Sequence, residues 1–195
     1  MTSPQPPRRP DPSTAWLVVI DPQRIFADPD SPWCAPHFDR IVEPVDALVR
    51  VFTKRTVVSR WLPPQSHEGS WADYFRRWSF ADRDPDDDLF GLVGDAAPWS
   101  RTSGSPTLDV ATFGKWGPGL RARTGDHPHL VLTGVATDCC VISTALAAAD
   151  AGAWVSVVSD ACAGSDDHNH EAALTVMGLY APQIRVLTTE ELLAG

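Results

Sequence analysis

The chain has 195 residues, enough for one domain of ordinary size with a sizeable core. Hydrophobic residues make up 43% and charged residues 21%, a globular balance. A formal charge of −9 argues against the basic surface that nucleic acid or an anionic membrane needs.

Residues 1–13 hold five prolines and the pair Arg8-Arg9, which reads as a disordered tail before a single domain over 14–195. Trp16 to Ile20 is a continuous apolar run, as expected of a central parallel strand, and it ends at Asp21-Pro22. Val42 to Phe52 reads as an amphipathic helix with Pro44 in its first turn. Arg55 to Arg60 is a second strand. Pro63-Pro64 then breaks the pattern, Ser70 to Trp78 is a short helix, and the acidic stretch Asp82 to Asp88 is a surface loop. Thr107 to Val110 is a short strand, followed by the irregular Thr112-Phe113-Gly114-Lys115-Trp116-Gly117-Pro118.

Leu130-Val131-Leu132 has strand character, and the alanine-rich stretch from Ser143 to Gly152 has helix character. Trp154 to Val158 is another strand and ends at Asp160. Glu171 to Leu179 is a helix, Ile184 to Leu187 a final strand, and Thr189 to Leu193 a last helix with Thr189 as its cap. The order β-α-β-loop-β-α-β-α-β-α-β-α predicts an α/β fold: a single-domain, doubly wound, Rossmann-like parallel sheet with helices on both faces. Ligands in such sheets bind outside the carboxyl ends of the strands.

Two cysteines, Cys139 and Cys140, lie between the fourth strand and its helix. Free N–H groups and the helix dipole at such an elbow stabilise a thiolate and can hold an oxyanion. Asp21 reaches the same rim from the first strand. The chain has two lysines, Lys54 and Lys115, against fourteen arginines. Lys54 closes a helix, where a cation suits the dipole; Lys115 sits in a loop that no helix or strand explains. The remaining cysteines, Cys34 and Cys162, do not suggest a disulfide scaffold, and Cys139 and Cys162 read first as packed small residues. His168 and His170 lie in an acidic run that reads as a helix start rather than a metal site. No charged-then-apolar leader and no apolar run near 18 residues is visible, so the expectation is a soluble, cytoplasmic protein.

Several segments resemble the isochorismatase-like cysteine hydrolase superfamily, which includes nicotinamidases and N-carbamoylsarcosine amidohydrolases. They are Asp21-Pro22-Gln23 with Phe26, the elbow Gly134-Val135-Ala136-Thr137-Asp138 with Cys140-Val141, and Val158 to Ala163 followed by His170 and Ala172-Ala173-Leu174. The resemblance runs from about residue 15 to 190. It implies Cys140 as nucleophile, Asp21 as the proton acceptor and donor, a cis peptide at Val135–Ala136, and an oxyanion hole from the N–H groups of Ala136 and Cys140. The family's usual lysine position is occupied here by Val110, and Lys115, five residues later, is the one lysine available for that role. The stretch where nicotinamidases carry Asp and His metal ligands is Arg60-Trp61-Leu62-Pro63-Pro64 here, so no metal is expected.

Phe26, Trp116, Gln23 and Arg60 are candidates for the substrate. Gln23 would orient an amide or cap a turn, and Arg60 would bind a carboxylate or form a strand-end salt bridge. Trp33, Trp61 and Trp78 would line a pocket or pack a core, with Trp116 the best placed because it neighbours Lys115. The expected activity is cofactor-free hydrolysis of a C–N bond in a small amide or carbamoyl compound through a thioester. The alternatives are vinyl-ether hydrolysis, with Asp21 as the acid and a dispensable thiol, or a non-catalytic ligand-binding relative. The expected partners are a small-molecule substrate and further copies of the chain, as a homodimer or homotetramer.

Overall fold

A computed structural model describes residues 9–194. Six strands form one sheet: β1 (Trp16–Ile20), β2 (Thr56–Trp61), β3 (Leu108–Val110), β4 (His129–Val135), β5 (Trp154–Ala163) and β6 (Ile184–Leu187). Their order is β3-β2-β1-β4-β5-β6 and every neighbouring pair is parallel. This is the doubly wound arrangement expected, with the order reversing between β1 and β4.

The helices are α1 (Arg24–Ala27), α2 (Phe38–Phe52), α3 (Ser70–Arg77), α4 (Ala97–Ser103), α5 (Pro118–Thr124), α6 (Ile142–Asp150), α7 (Asp167–Gly178) and α8 (Thr189–Leu193). Side chains alternate across a strand, so β1 feeds two cores. Leu17 and Val19 join Leu48, Phe52 and Trp99 from α2 and α4 on one face. Val18 and Ile20 join Leu120, Ala145, Ala148 and Met177 from α5, α6 and α7 on the other.

Four expectations shift. Helix α2 starts at Phe38, because Phe38, Ile41, Val45, Leu48, Val49 and Phe52 make one continuous buried stripe. Pro44 therefore lies in the second turn, where it gives up the bond to the carbonyl of the exposed Arg40. Strand β5 runs on to Ala163, past a register irregularity against β4, so Asp160 lies inside it. Its carboxylate accepts from the N–H of Thr189 at 2.8 Å. The cap of α8 is Thr188, one residue early, in a reciprocal pair with Glu191. Of the expected tail, residues 1–8 lie outside the described residues. Residues 11–15, by contrast, form a turn in which Asp11 accepts from Thr14, Ala15 and Ser13.

No helix among the described residues is long and apolar enough to cross a membrane.

Candidate active site

The site is assembled at the carboxyl ends of β1 and β4. These strands run side by side with Ile20 opposite Gly134. Gly134 has φ of 103°, and a Cβ there would stand 2.1 Å from the Ile20 carbonyl oxygen, so only glycine allows the approach. Asp21 follows Ile20, and Ala136 follows Gly134 by two residues. Asp21 itself has φ of 49°, a left-handed conformation that Asp tolerates better than most residues. That backbone turns its carboxylate inward, where it is fully buried.

Two groups hold the carboxylate. The Ser59 hydroxyl, from β2, donates to Oδ1 at 2.8 Å. The Lys115 ammonium lies 2.7 Å from Oδ2, with both side chains shielded from water. Lys115 arrives here by topology. The crossover from β3 to β4 has to pass over the ends of β2 and β1, and Lys115 lies at its start. Its own backbone is pinned: the N–H donates to Thr144 Oγ1 at 2.9 Å, Nζ donates to the Thr112 carbonyl at 3.2 Å, and Gly114 packs on the Ser143 carbonyl. The lysine therefore meets Asp21 although its sequence spacing departs from the family pattern.

The elbow is a π-type turn, Thr137–Val141, running into α6. The expected helix start is thus replaced by a wider turn, a form frequent at functional sites. The Val135–Ala136 peptide is cis. The Ala136 carbonyl accepts from Cys139 at 3.0 Å and Val141 at 3.1 Å; the N–H of Cys140, between them, is not among the groups it holds. Thr144 Oγ1 donates to the Cys140 carbonyl at 2.6 Å, so one hydroxyl ties both the nucleophile candidate and Lys115 to α6. Asp138 accepts from the N–H and hydroxyl of Ser165 at 2.8 and 2.7 Å, fastening the elbow to the loop after β5.

Cys140 is 3% exposed and Cys139 is half-buried. The hydrogen bond with Cys139, then burial, then the Asp21 carboxylate push the Cys140 thiol well up, and Lys115 opposes them. Cys139 is drawn down, first by the same hydrogen bond seen from its other end. Cys140 rests as a thiol, because a second anion beside Asp21 is costly in a buried site.

Both cysteines and Ala136 open on a cavity of about 310 Å³. Its walls are Phe26, Trp33, Trp61, Tyr74, Trp78 and Phe113, with Pro32, Cys34, Asp138 and Ser165. Trp33 is the hub, 5.4 Å from Trp61 edge to face and 6.2 Å from Phe26 in a stack. Burial, then the charges of the two thiols, raise the Tyr74 phenol, so it stays a hydrogen-bond donor at neutral pH.

The structure thus brings together Asp21, Lys115, Cys140, Ala136 and Phe26. Three sequence candidates are corrected. Gln23 is fully buried: Oε1 accepts from Trp61 N–H at 2.7 Å, and Nε2 donates to the carbonyls of Trp61 and Phe90 at 3.0 and 2.8 Å. It satisfies backbone that the end of β2 leaves unpaired, and so fixes Trp61 rather than a substrate. Arg60 forks onto Asp109, its partner across β2 and β3, at 2.9 and 2.6 Å. Trp116 packs on the core beneath α5 and α6, since Lys115 beside it turns inward. The cavity tryptophans are instead Trp33, Trp61 and Trp78. Ser59, Thr144 and Tyr74 were missed as site residues; a lone hydroxyl in the apolar run Val57-Val58-Ser59 was the readable signal for the first.

A nicotinamidase-type metal does not fit the donor set. Arg60 and Trp61 occupy the place of the ligands, and the nearby His67 pairs with Asp82 at 3.2 Å and stacks on Phe75. Among the described residues no group of three or more His, Cys, Asp or Glu side chains converges on one point.

The family model for the isochorismatase domain matches residues 15–191. Among solved structures, a cysteine hydrolase from Pseudomonas syringae pv. phaseolicola 1448A is 20% identical, with 98% of this chain and 96% of that one covered and a TM-score of 0.79. An isochorismatase-like hydrolase from Alkaliphilus metalliredigens is 18% identical over 91% and 96%, with a TM-score of 0.67. A nicotinamidase from Bacillus subtilis is 18% identical over 89% and 99%, with a TM-score of 0.70. At these identities the likeness is one of fold. No match was found among curated protein sequences.

Proposed function

The chain belongs to the isochorismatase family, and we propose that it is a cysteine hydrolase of a small amide or carbamoyl compound. The observation that carries this reading is the buried Asp21–Lys115 pair at the base of the Cys140 elbow, next to a cavity able to hold a small molecule. Resemblance to cysteine hydrolases and nicotinamidases supports it.

The Cys140 sulfur attacks the substrate carbonyl carbon as its proton passes to Asp21 Oδ2. The carbonyl oxygen becomes an oxyanion held by the N–H groups of Ala136 and Cys140. The C–N bond breaks, and the amine or ammonia leaves with the proton from Asp21. Water then attacks the thioester and gives a proton to Asp21, which returns it to the sulfur as the acid departs. Lys115 keeps Asp21 in place and stabilises the negative charge that Asp21 carries before it takes the proton.

The test is ammonia release from a panel of primary amides and carbamoyl compounds, with mass spectrometry of quenched enzyme. An acyl adduct on the peptide carrying Cys140, and loss of about three orders of magnitude in Cys140→Ser, are expected. Full activity in Cys140→Ala would sink the thioester route and favour a reaction driven by Asp21 as acid.

A further inference from the structure

The wall of the cavity has a sign as well as a shape. Trp33, Trp61, Trp78, Tyr74 and Phe113 present aromatic rings, whose faces carry partial negative charge. Asp138 is the one carboxylate on that wall, and Ser165 holds both its oxygens in place. Among the described residues, no lysine or arginine lines the cavity. Lys115 is spent on Asp21 and Arg60 on Asp109, while Arg77 stacks on the Trp78 ring, 5.3 Å from its centroid, without lining the cavity itself. The chain as a whole carries −9.

A carboxylate entering this cavity would lose its water and find no lysine or arginine on the wall in exchange, while facing the Asp138 carboxylate. A neutral apolar group loses nothing. A quaternary ammonium gains attraction to the rings and to Asp138, and its diffuse charge is weakly hydrated.

We propose that this cavity selects substrates whose body is apolar and either uncharged or cationic, and rejects those that carry a carboxylate. The proposal rests on the hydrolase reading for the word substrate, but the selection itself is a property of binding. It also narrows the reaction that supplies the substrate: one that leaves an amide or carbamoyl group on a body with no free acid.

Three ligands of one shape test it: benzamide and its para-carboxylate and para-trimethylammonium derivatives. Binding is measured on the Cys140→Ala variant by quenching of tryptophan emission, to which Trp33, Trp61 and Trp78 contribute. The neutral and cationic ligands should bind at least ~10-fold more tightly than the carboxylate. Asp138→Asn keeps the shape of the side chain, and in the double variant the cation-to-anion ratio should fall at least ~3-fold while benzamide is unaffected. Equal or tighter binding of the carboxylate overturns the proposal, as does no binding of any ligand at millimolar concentration. A ratio left unchanged by Asp138→Asn overturns the part given to Asp138. Hydrolysis is read separately on the unaltered protein. If the ligands bind in the expected order and none releases ammonia, amide hydrolysis fails and the charge selection stands.

Discussion

Removing the Lys115 ammonium tests the centre of the site, because it leaves Asp21 as an unpaired buried charge. Both side chains are fully shielded and the charges stand 2.7 Å apart. Lys115→Met keeps the apolar stem and deletes the charge. The carboxylate then has Ser59 alone, and breaking a buried pair in this way costs about 3–5 kcal/mol. That is a large share of the roughly 5–15 kcal/mol that holds a domain together. Asp21 can lower the cost by taking up a proton, but a protonated Asp21 cannot accept one from Cys140. Turnover should therefore fall at least ~100-fold. The Cys140 thiol also loses the cation that offsets Asp21, so its alkylation should move to higher pH. The decisive comparison is Asp21→Asn/Lys115→Met. With both charges gone, most of the lost stability should return and none of the activity. Urea unfolding at pH 7 of the unaltered protein, Asp21→Asn, Lys115→Met and the double variant, with steady-state turnover and iodoacetamide rates mapped by peptide, reads all three effects. If Lys115→Met loses less than about 1 kcal/mol and keeps its turnover, the ion-pair reasoning is refuted.

Two further outcomes follow from the same geometry. Cys139→Ser should keep at least about a tenth of the activity while Cys140→Ser loses nearly all, because Cys140 holds the place that the family resemblance gives the nucleophile and Thr144 ties its carbonyl to α6; the reverse pattern in steady-state assays would move the nucleophile by one residue. Stability should fall as pH drops from 6.5 to about 4, since burial, with Arg185 second, holds His129 down to about 4 against 6.5 for a free ring. Above 6.5 both states carry the neutral ring and nothing changes; below it the unfolded chain takes up a proton that the native ring, bonded to Ser156 at 2.9 Å, refuses. The loss is at most about 3 kcal/mol, less for the solvent that reaches the ring, and His129→Gln should flatten it in denaturant titrations at pH 7 and 5.

What the sequence disclosed follows from which physical constraint each residue obeys. A strand buried on both faces must be apolar throughout, so the central β1 was legible to the residue. The ends of such strands point to one rim, so Asp21 and Cys140 were placed together without knowing any contact. Helices α1, α4 and α5 have 4, 7 and 7 residues, too few turns for a periodic stripe to emerge. Polar residues near strand ends were the weak point. Gln23 and Arg60 each had a substrate role and a structural role open, and the choice depended on partners 38 and 49 residues away. Backbone groups at the end of β2 and the carboxylate opposite on β3 claimed them, since a buried donor left unpaired costs more than an optional contact gains.

Lys115 is the opposite case. Its rarity marked it, and its spacing argued against it, because spacing along the chain measures only the backbone. The lysine stem is long and flexible, and Thr144 and Gly114 set where its loop lies on α6. A catalytic cation is defined by where its nitrogen ends, so the crossover could enter five residues later and still deliver Nζ to Asp21. The same freedom explains why Trp116 was misjudged. Loop residues have no fixed period, so placing Lys115 inward sent its neighbour into the core, and the cavity took its tryptophans from three other segments.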